Sequence, residues 1–414
     1  MLYALRQRDF FLLWTAGLIS YIGNWMLAIA RPVVVYQLTG STLAVGGVIL
    51  AAALPGVLLS SFAGVFVDRW ERRRTMVILN LLLGLSILPL MLVQTADHLW
   101  IVYLVTFVQA TLGQFFAPAE NAMLPLLVDE KHLVSANALN ALNNNLARLI
   151  GPAIGGLTLS TLGLSGIVQV DALTYALAAL LIALISVTSQ PASTTHPDKL
   201  RQFGRDWREG LRVVRHDHML LILFICAALM AVGEGAISTL FVPFVTDVLH
   251  GEALQLGWLM SAQAVGGIIG GLVIGWIGKH VLPLRLFIVS SALFGVIDLV
   301  IFNYSLFTEG LWIALILFVI VGIPAIGLGT GFDTLIQSRT RDQFRGRVSG
   351  SLNTVFAFFY IVGTGIASTL GETVGVLPTI NLQGSNYVVI ALLCFLALRR
   401  DWMNDLRPAA SAGD

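Results

Sequence analysis

Charged residues and cysteine are scarce in this 414-residue chain. Only 11% of the residues are charged, whereas 57% are hydrophobic and the mean hydropathy is +0.85, which is outside the usual balance of soluble globular domains. The composition therefore predicts a membrane protein. The two cysteines, Cys226 and Cys394, each lie inside an apolar run, so we expect buried side chains rather than a disulfide or a cysteine-based metal site.

Motifs for enzymatic or nucleotide chemistry are also missing. The sequence has no Walker-type phosphate loop, no zinc-binding helix motif and no nucleophile elbow. Hydrolysis and ATP-driven transport are therefore disfavoured, and the chain is not expected to be an enzyme. No cofactor, metal or nucleic-acid partner is indicated, which leaves an ion gradient as the energy source for any transport.

Long apolar runs are what the sequence has instead. A helix needs about 20 apolar residues to cross the hydrocarbon core, and the alternating pattern of a β-barrel is not seen. We predict an all-α membrane protein with twelve membrane-spanning helices. They lie near residues 10–38, 43–67, 75–95, 99–127, 136–162, 167–188, 218–247, 252–278, 284–304, 310–336, 346–370 and 385–400. The first run is too long for the apolar part of a signal peptide, so we expect it to be a retained span.

The basic residues predict the orientation of these spans. Of the 24 Lys and Arg residues, only Arg31 and Arg148 lie away from the ends of the spans, and the others lie at span ends or in loops that all fall on one side. Acidic residues occupy the opposite loops: Asp97, Asp247, Glu252, Glu309 and Glu372. By the positive-inside rule, the protein is expected in the cell (inner or plasma) membrane with both termini in the cytoplasm.

One polar stretch divides the chain. Residues 190–217 contain prolines, serines, threonines and a basic cluster, and separate an N-terminal six-helix bundle at 1–189 from a C-terminal six-helix bundle at 218–414. We interpret the stretch as a cytoplasmic linker. Its later part, 207–214, is either an amphipathic helix on the membrane surface or a plain tether.

The loop after the second span carries a recognisable motif. Residues 64–74 read GVFVDRWERRR, a turn with the carboxylate of Asp68 among arginines. This resembles the signature loop of the major facilitator superfamily, although Glu71 stands where that family usually has glycine. The resemblance implies that Asp68 meets the start of the eleventh helix and closes the cytoplasmic side. The gate residues implied are Gly64, Asp68, Arg69, Arg72, Arg73, Arg345 and Arg347.

A second motif lies in the fifth span. Residues 151–156 read GPAIGG, which resembles the antiporter motif of drug and proton antiporters. Gly151, Pro152, Gly155 and Gly156 permit close helix approach and a bend, and ordinary helix packing is the alternative interpretation. With the segments YQLTGS at 36–41, PAENAMLP at 118–125, SANALN at 135–140 and RGRV at 345–348, the chain resembles the macrolide-efflux and enterobactin-exporter branch of the superfamily.

Seven ionisable residues are predicted inside spans, where a charge costs a few kcal/mol, so they are functional candidates. The candidates for proton coupling are Glu234, Glu120, Asp298, Asp333 and Asp171. Glu234 is the clearest, because it is central in the seventh span, is flanked by glycines and has no cationic neighbour one turn away. Its alternatives are recognition of a cation and a structural hydrogen bond.

The remaining candidates are expected to line a central cavity. They are Arg31, Glu120, Arg148, Asn24, Phe115, Phe356 and Phe359. Arg31 and Glu120 are predicted to give the cavity opposite charges, pairing directly only if their helices shift. The alternative is two independently solvated polar residues.

These features predict a secondary transporter that functions as a monomer and exports amphipathic, drug-like or siderophore-like molecules in exchange for protons. Its other partners would be membrane lipids. One alternative is a lipid or lysophospholipid flippase, because the segment around Pro118 also resembles lysophospholipid transporters. An alternative of another class is a membrane receptor or assembly partner that does not transport.

Overall fold

The computed structural model is helical throughout the residues that it describes, 2–67, 70–187, 199–278, 281–308 and 310–398. The helices before the linker are α1 (Leu2–Leu5), α2 (Arg8–Thr39), α3 (Thr42–Val67), α4 (Arg72–Ile87), α5 (Leu99–Leu127) and α6 (Leu133–Ala183). Those that follow are α7 (Lys199–His216), α8 (His218–Pro243), α9 (Ala253–Ile277), α10 (Pro283–Asn303), α11 (Leu311–Arg339), α12 (Arg345–Thr373) and α13 (Val376–Ala397).

Helix α6 contains two membrane spans. It has 51 residues, which at about 1.5 Å per residue is more than twice the thickness of the hydrocarbon core. Gly163 breaks it with a backbone of φ 66° and ψ −170°, a conformation that glycine adopts readily. The predicted boundary between the fifth and sixth spans lies at this residue. With ten further long apolar helices in the described residues, the prediction of twelve crossings is confirmed.

The predicted start of the last span, at residue 385, is wrong. Helix α13 begins at Val376 because its polar first half has partners on α10. The Asn303 and Asn381 side chains exchange hydrogen bonds of 2.7 and 3.2 Å. Gly384 packs so closely that an added Cβ would lie 2.9 Å from the carbonyl oxygen of Gly295. Polar residues that suggested a loop are therefore part of a helix interface.

The linker contains a helix, so the plain-tether interpretation of residues 207–214 is wrong. Helix α7 covers Lys199–His216, is strongly amphipathic in sequence and is basic in its last turn. The first part of the predicted linker, residues 190–198, lies outside the described residues.

The chain forms two compact units. The first comprises residues 1–203 with 245–261, and the second comprises residues 204–244 with 262–414. In the first unit, the glycines of the GPAIGG motif are contact points. A Cβ on Gly155 would lie 2.7 Å from the Cα of Met26 on α2, and a Cβ on Gly156 would lie 2.4 Å from the carbonyl oxygen of Ala253 on α9. The motif therefore permits the close helix approach that we predicted.

Close glycine contacts also join α8 to α12 in the second unit. A Cβ on Gly235 would lie 2.4 Å from the carbonyl oxygen of Tyr360, and a Cβ on Gly363 would lie 2.3 Å from that of Val232. The glycines beside Glu234 thus bring another helix close. The two cysteines belong to this unit as well: Cys226 and Cys394 are free and buried, as predicted, with their sulfurs 3.4 Å apart.

We expect Gly363→Ala to destabilise the second unit by about 1–3 kcal/mol, because the new methyl group would overlap backbone that cannot move aside. Gly365→Ala is the matched control on the same helix, since a Cβ there meets nothing within 4 Å. The measurement is the thermal unfolding midpoint of each purified variant in detergent. Equal midpoints for the two variants would show that the glycine contact is not needed.

Candidate functional site

A polar cavity lies within the apolar helices of the first unit. It has a volume of about 280 Å³. Its lining residues come mainly from α2 and α5, with one residue each from α3, α4 and the second part of α6: Ala52, Leu83 and Tyr175. The polar side chains among them are Tyr21, Asn24, Arg31, Thr106, Gln109 and Tyr175. Phe116, Leu83 and several alanines complete the wall, so the cavity offers both apolar surface and hydrogen-bonding groups.

Arg31 is the central cation of this cavity. Its Nη2 donates a hydrogen bond to Oε1 of Gln109, and its guanidinium interacts electrostatically with Asp171 and Tyr175. The Nε of Arg31 is buried without a hydrogen-bond partner in the described structure. The residue follows Ala30 and precedes Pro32, both of which are buried, so the helix itself packs while the long side chain reaches the cavity.

Asp171 is the anion that faces Arg31. The residue is fully buried, and its Oδ1 accepts a hydrogen bond of 3.1 Å from the hydroxyl of Thr174. Its Oδ2 is buried without a hydrogen-bond partner among the described residues. Gly23 on α2 makes room for it, because a Cβ there would lie 2.0 Å from Oδ1 of Asp171. Attraction to Arg31 is therefore the main compensation for this buried carboxylate.

Glu120 is hydrogen-bonded to Tyr21 and not paired with Arg31, the cation that its charge suggested as a partner. Its Oε2 accepts a hydrogen bond of 2.9 Å from the hydroxyl of Tyr21, and its side chain is also hydrogen-bonded to Asn140. The structure shows no ion pair between Arg31 and Glu120. Instead, Tyr21 connects the buried Glu120 to the cavity wall.

Two other predicted residues of the first unit lie near this network. Asn24 accepts a hydrogen bond from the hydroxyl of Tyr175. Arg148 is exposed, and its guanidinium stacks 6.0 Å from the ring centroid of Trp25. Phe115, in contrast, does not line the cavity; its ring packs 6.1 Å from that of Trp70, and Phe116 is the aromatic residue of the wall.

A second polar group lies within the second unit. Glu234 on α8 interacts electrostatically with Asp298 on α10, and both carboxyl groups interact with Tyr387 on α13. Asp298 is only 4% exposed and its Oδ2 has no hydrogen-bond partner in the described structure, whereas Glu234 is exposed. Tyr360, which shares a hydrogen bond with Ser238, lies close enough to interact with Glu234 as well. Two carboxyl groups from our list of proton-coupling candidates are therefore neighbours.

An apolar cavity of about 370 Å³ also lies in the second unit. It is lined by Phe224, Ile225, Ala228, Leu229, Val232, Val355 and Phe359. The predicted cavity residue Phe359 is thus on its wall, and Phe356 is not. Asp333 is exposed near the end of α11 and is not part of either polar group.

The loop after the second span is described only in part. Asp68 and Arg69 lie outside the described residues, and Gly64 is within α3. Arg72 donates a hydrogen bond of 3.1 Å to the carbonyl oxygen of Ala122, and Arg73 donates one to that of Ala183. Arg73 therefore contacts the last residue of α6, and Arg72 contacts α5 within its last two turns.

Glu71, the residue that departs from the family motif, has a clear structural role. Its carboxylate accepts hydrogen bonds from the backbone N–H groups of Arg73 at 3.2 Å and Arg74 at 2.7 Å. It caps the N-terminus of α4, where a negative charge is favourable.

The predicted gate arginines on α12 each have a carboxylate partner in their own unit. Arg345 forms an ion pair of 3.0 Å with Asp342 in the preceding turn. Arg347 forms one of 3.2 Å with Glu209 on α7. Sequence reasoning did not find Glu209, because nothing in the linker sequence shows which helix it contacts.

The sequence is similar to characterised exporters along nearly its whole length. Residues 13–364 match the profile of the Major Facilitator Superfamily. The chain is 24% identical over 388 residues to macrolide efflux protein A of Streptococcus pyogenes, which covers 93% of this chain and 95% of that protein. It is 28% identical over 382 residues to multidrug efflux pump Tap of Mycobacterium tuberculosis, which covers 89% of this chain and 88% of the pump.

The fold is likewise shared with solved transporters. A bacterial homologue of the human lysosomal transporter Spinster matches with a TM-score of 0.74 at 15% identity, over 97% of this chain and 98% of that one. A bacterial homologue of the iron transporter ferroportin matches with a TM-score of 0.73 at 13% identity, over 94% and 98% of the two chains. At these identities the similarity establishes the fold.

Proposed function

Because the chain belongs to the Major Facilitator Superfamily, we propose that it is a proton-coupled exporter of amphipathic small molecules that works by alternating access. Family membership makes it a multi-pass transporter of the cell membrane with efflux proteins among its relatives. The proposal adds the substrate class, the coupling ion and the direction. It also keeps the predicted orientation, with both termini in the cytoplasm.

The observation that supports the substrate class is the mixed wall of the cavity in the first unit. Arg31, Gln109 and Asn24 supply charge and hydrogen bonds, and Phe116 and Leu83 supply apolar surface. A molecule with a polar group and a hydrophobic body satisfies both parts of this wall. The relatives named for macrolide and multidrug efflux support the same class.

The pair formed by Glu234 and Asp298 supports proton coupling. Two neighbouring carboxyl groups inside a helical unit are candidates to bind and release one proton during a transport cycle. Glu234 is exposed and exchanges that proton with the transport pathway, while the buried Asp298 holds it in the unit. Glu120 and Asp171 in the first unit then serve to orient Tyr21 and Arg31 rather than to carry the proton.

In this scheme, protonation shifts the equilibrium between the inward-open and outward-open states. Protonation changes the charge of the Glu234–Asp298 pair, so it favours whichever state surrounds the pair with the matching polarity. At the cytoplasmic side we retain Asp68 as the gate residue that closes that side, together with the arginines at the start of α12.

Transport into sealed inside-out vesicles tests this function. With an acidic interior, protons leave the vesicle as substrate enters, so we expect macrolides and other amphipathic compounds to accumulate only while the gradient lasts. Vesicles without the protein and vesicles treated with a protonophore are the controls. Equal accumulation with and without the gradient would contradict proton coupling. If no amphipathic compound accumulates, the proposed substrate class is wrong.

A further inference from the structure

Helix α7 ends directly beside a membrane span. Its last residue is His216, and α8 begins at His218. The intervening Asp217 caps α8, since its Oδ1 accepts hydrogen bonds from the backbone N–H groups of Met219 at 2.9 Å and Leu220 at 3.0 Å. The final turns of α7 are therefore held at the level where lipid headgroups meet the first turn of a span.

One face of α7 is docked on the start of α12. A Cβ on Gly210 would lie 2.4 Å from the Oγ of Ser351 and 2.5 Å from the carbonyl oxygen of Arg347. The hydroxyl of Ser351 donates a hydrogen bond of 3.2 Å to the carbonyl oxygen of Trp207. The ion pair between Glu209 and Arg347, at 3.2 Å, belongs to the same contact. A ligand that fixes the position of α7 is therefore expected to stabilise the first turns of α12 as well.

The other face of α7 carries a cluster of cations. Arg208, Arg212 and Arg215 are spaced by four and three residues, which places them on one side of the helix, and all three are exposed. They line a surface cavity of about 410 Å³ with Leu211 and His216. None of the three arginines forms an ion pair with a residue that the structure describes. This is an arrangement in which several guanidinium groups can share one phosphate.

We propose that this arginine cluster binds the phosphate group of an anionic phospholipid in the cytoplasmic leaflet, and that the bound lipid secures α7 against the start of α12. The leaflet follows from the proposed orientation, which places the linker in the cytoplasm. A lipid fits better than a soluble phosphate because the helix runs into a span, and because the apolar Leu211 lies among the arginines, where an acyl chain or glycerol backbone would pass.

Lipid-dependent stability tests the site. We expect phosphatidylglycerol, but not phosphatidylcholine, to raise the thermal unfolding midpoint of the purified full chain in detergent. The triple variant R208Q/R212Q/R215Q should bind phosphatidylglycerol about 100-fold more weakly, since each arginine near an anionic surface contributes roughly a fivefold factor. The matched control is R6Q/R74Q/R341Q, three exposed arginines on the same predicted side, which should keep the wild-type shift.

Two further measurements distinguish a lipid from a soluble phosphate and test whether the bound lipid stabilises the start of α12. Inorganic phosphate should not reproduce the shift; if it does, the site takes a soluble phosphate and the lipid assignment is overturned. Phosphatidylglycerol should slow amide hydrogen exchange in residues 345–351 of the wild-type chain. In Gly210→Leu, which keeps the arginines but removes the close contact, lipid binding should persist and this protection should disappear. Equal lipid shifts in both triple variants, or no protection in the wild type, would contradict the proposal.

Discussion

We expect the Glu234→Gln variant to transport at a rate that no longer depends on the pH gradient. Glutamine keeps the size and hydrogen-bonding capacity of the side chain but cannot bind and release a proton. Gradient-driven accumulation in inside-out vesicles should fall by about tenfold or more, the scale expected when an intramembrane carboxyl group is essential. Substrate binding should change by less than roughly threefold, because the polar cavity with Arg31 belongs to the other unit.

Asp298→Asn provides the second half of this test. If Glu234 and Asp298 share one proton, each amide variant should lose the gradient dependence, and the double variant should be no worse than either single one. The matched control is Glu252→Gln, an exposed glutamate just before α9, which should retain the full effect of the gradient. An unchanged gradient dependence in Glu234→Gln would refute the assignment, and additive losses would show two independent sites.

The number and length of the helices were largely predictable, because they depend on features that can be recognised in the sequence itself. Span length and apolar runs are local features of the sequence, and even the break at Gly163 coincides with the predicted boundary between two spans. The start of the last span was not predictable, since Asn381 is polar by itself and becomes helical through its hydrogen bonds to Asn303. That partner lies 78 residues away in the chain.

The polar groups were predictable as a set of residues but not as pairs. The resemblance to the family predicted that Arg31 and Glu120 share one cavity, but Glu120 is not among the residues of its wall and is connected to it through Tyr21. Which carboxylate faces Arg31 depends on the rotation of each helix about its axis, and that is determined by contacts such as Gly23 against Asp171. Tyr21 and Tyr175 were missed entirely, although tyrosines in the middle of apolar spans are a usable signal, since a buried hydroxyl needs a partner.

The two polar groups differ in the charges that they combine. The first unit places a cation near an acidic residue, Arg31 near Asp171, and the two side chains interact electrostatically. In the second unit two acidic residues are neighbours, Glu234 and Asp298, and it is this pair that we propose to carry the proton. A cation with a carboxyl group nearby is suited to orienting a substrate, and a pair of carboxyl groups is suited to titrating during a cycle. We therefore assign recognition to the first unit and coupling to the second.

This division leads to the second large effect, which concerns the interaction between Arg31 and Asp171 in the first unit. Arg31→Gln and Asp171→Asn should each lower folding stability, by up to about 3–5 kcal/mol, because each leaves the other side chain without its main electrostatic partner. The double variant removes both charges, so its loss should be smaller than the sum of the single losses by roughly 1.5 kcal/mol or more. The measurement is equilibrium unfolding in mixed micelles, with the four proteins of the cycle compared under one condition.

Transport separates recognition from stability in the same cycle. The double variant should recover folded yield yet remain at least about tenfold impaired in accumulation of the transported compound, since the cation that faces the cavity is gone. Arg148 supplies the control cycle, because its guanidinium stacks on Trp25 and the cation that interacts with Asp171 is Arg31. The losses of folding stability in Arg148→Gln and Asp171→Asn should therefore add within about 0.5 kcal/mol. Additive losses for Arg31 and Asp171 would show that the two side chains act independently and that their attraction does not stabilise the first unit.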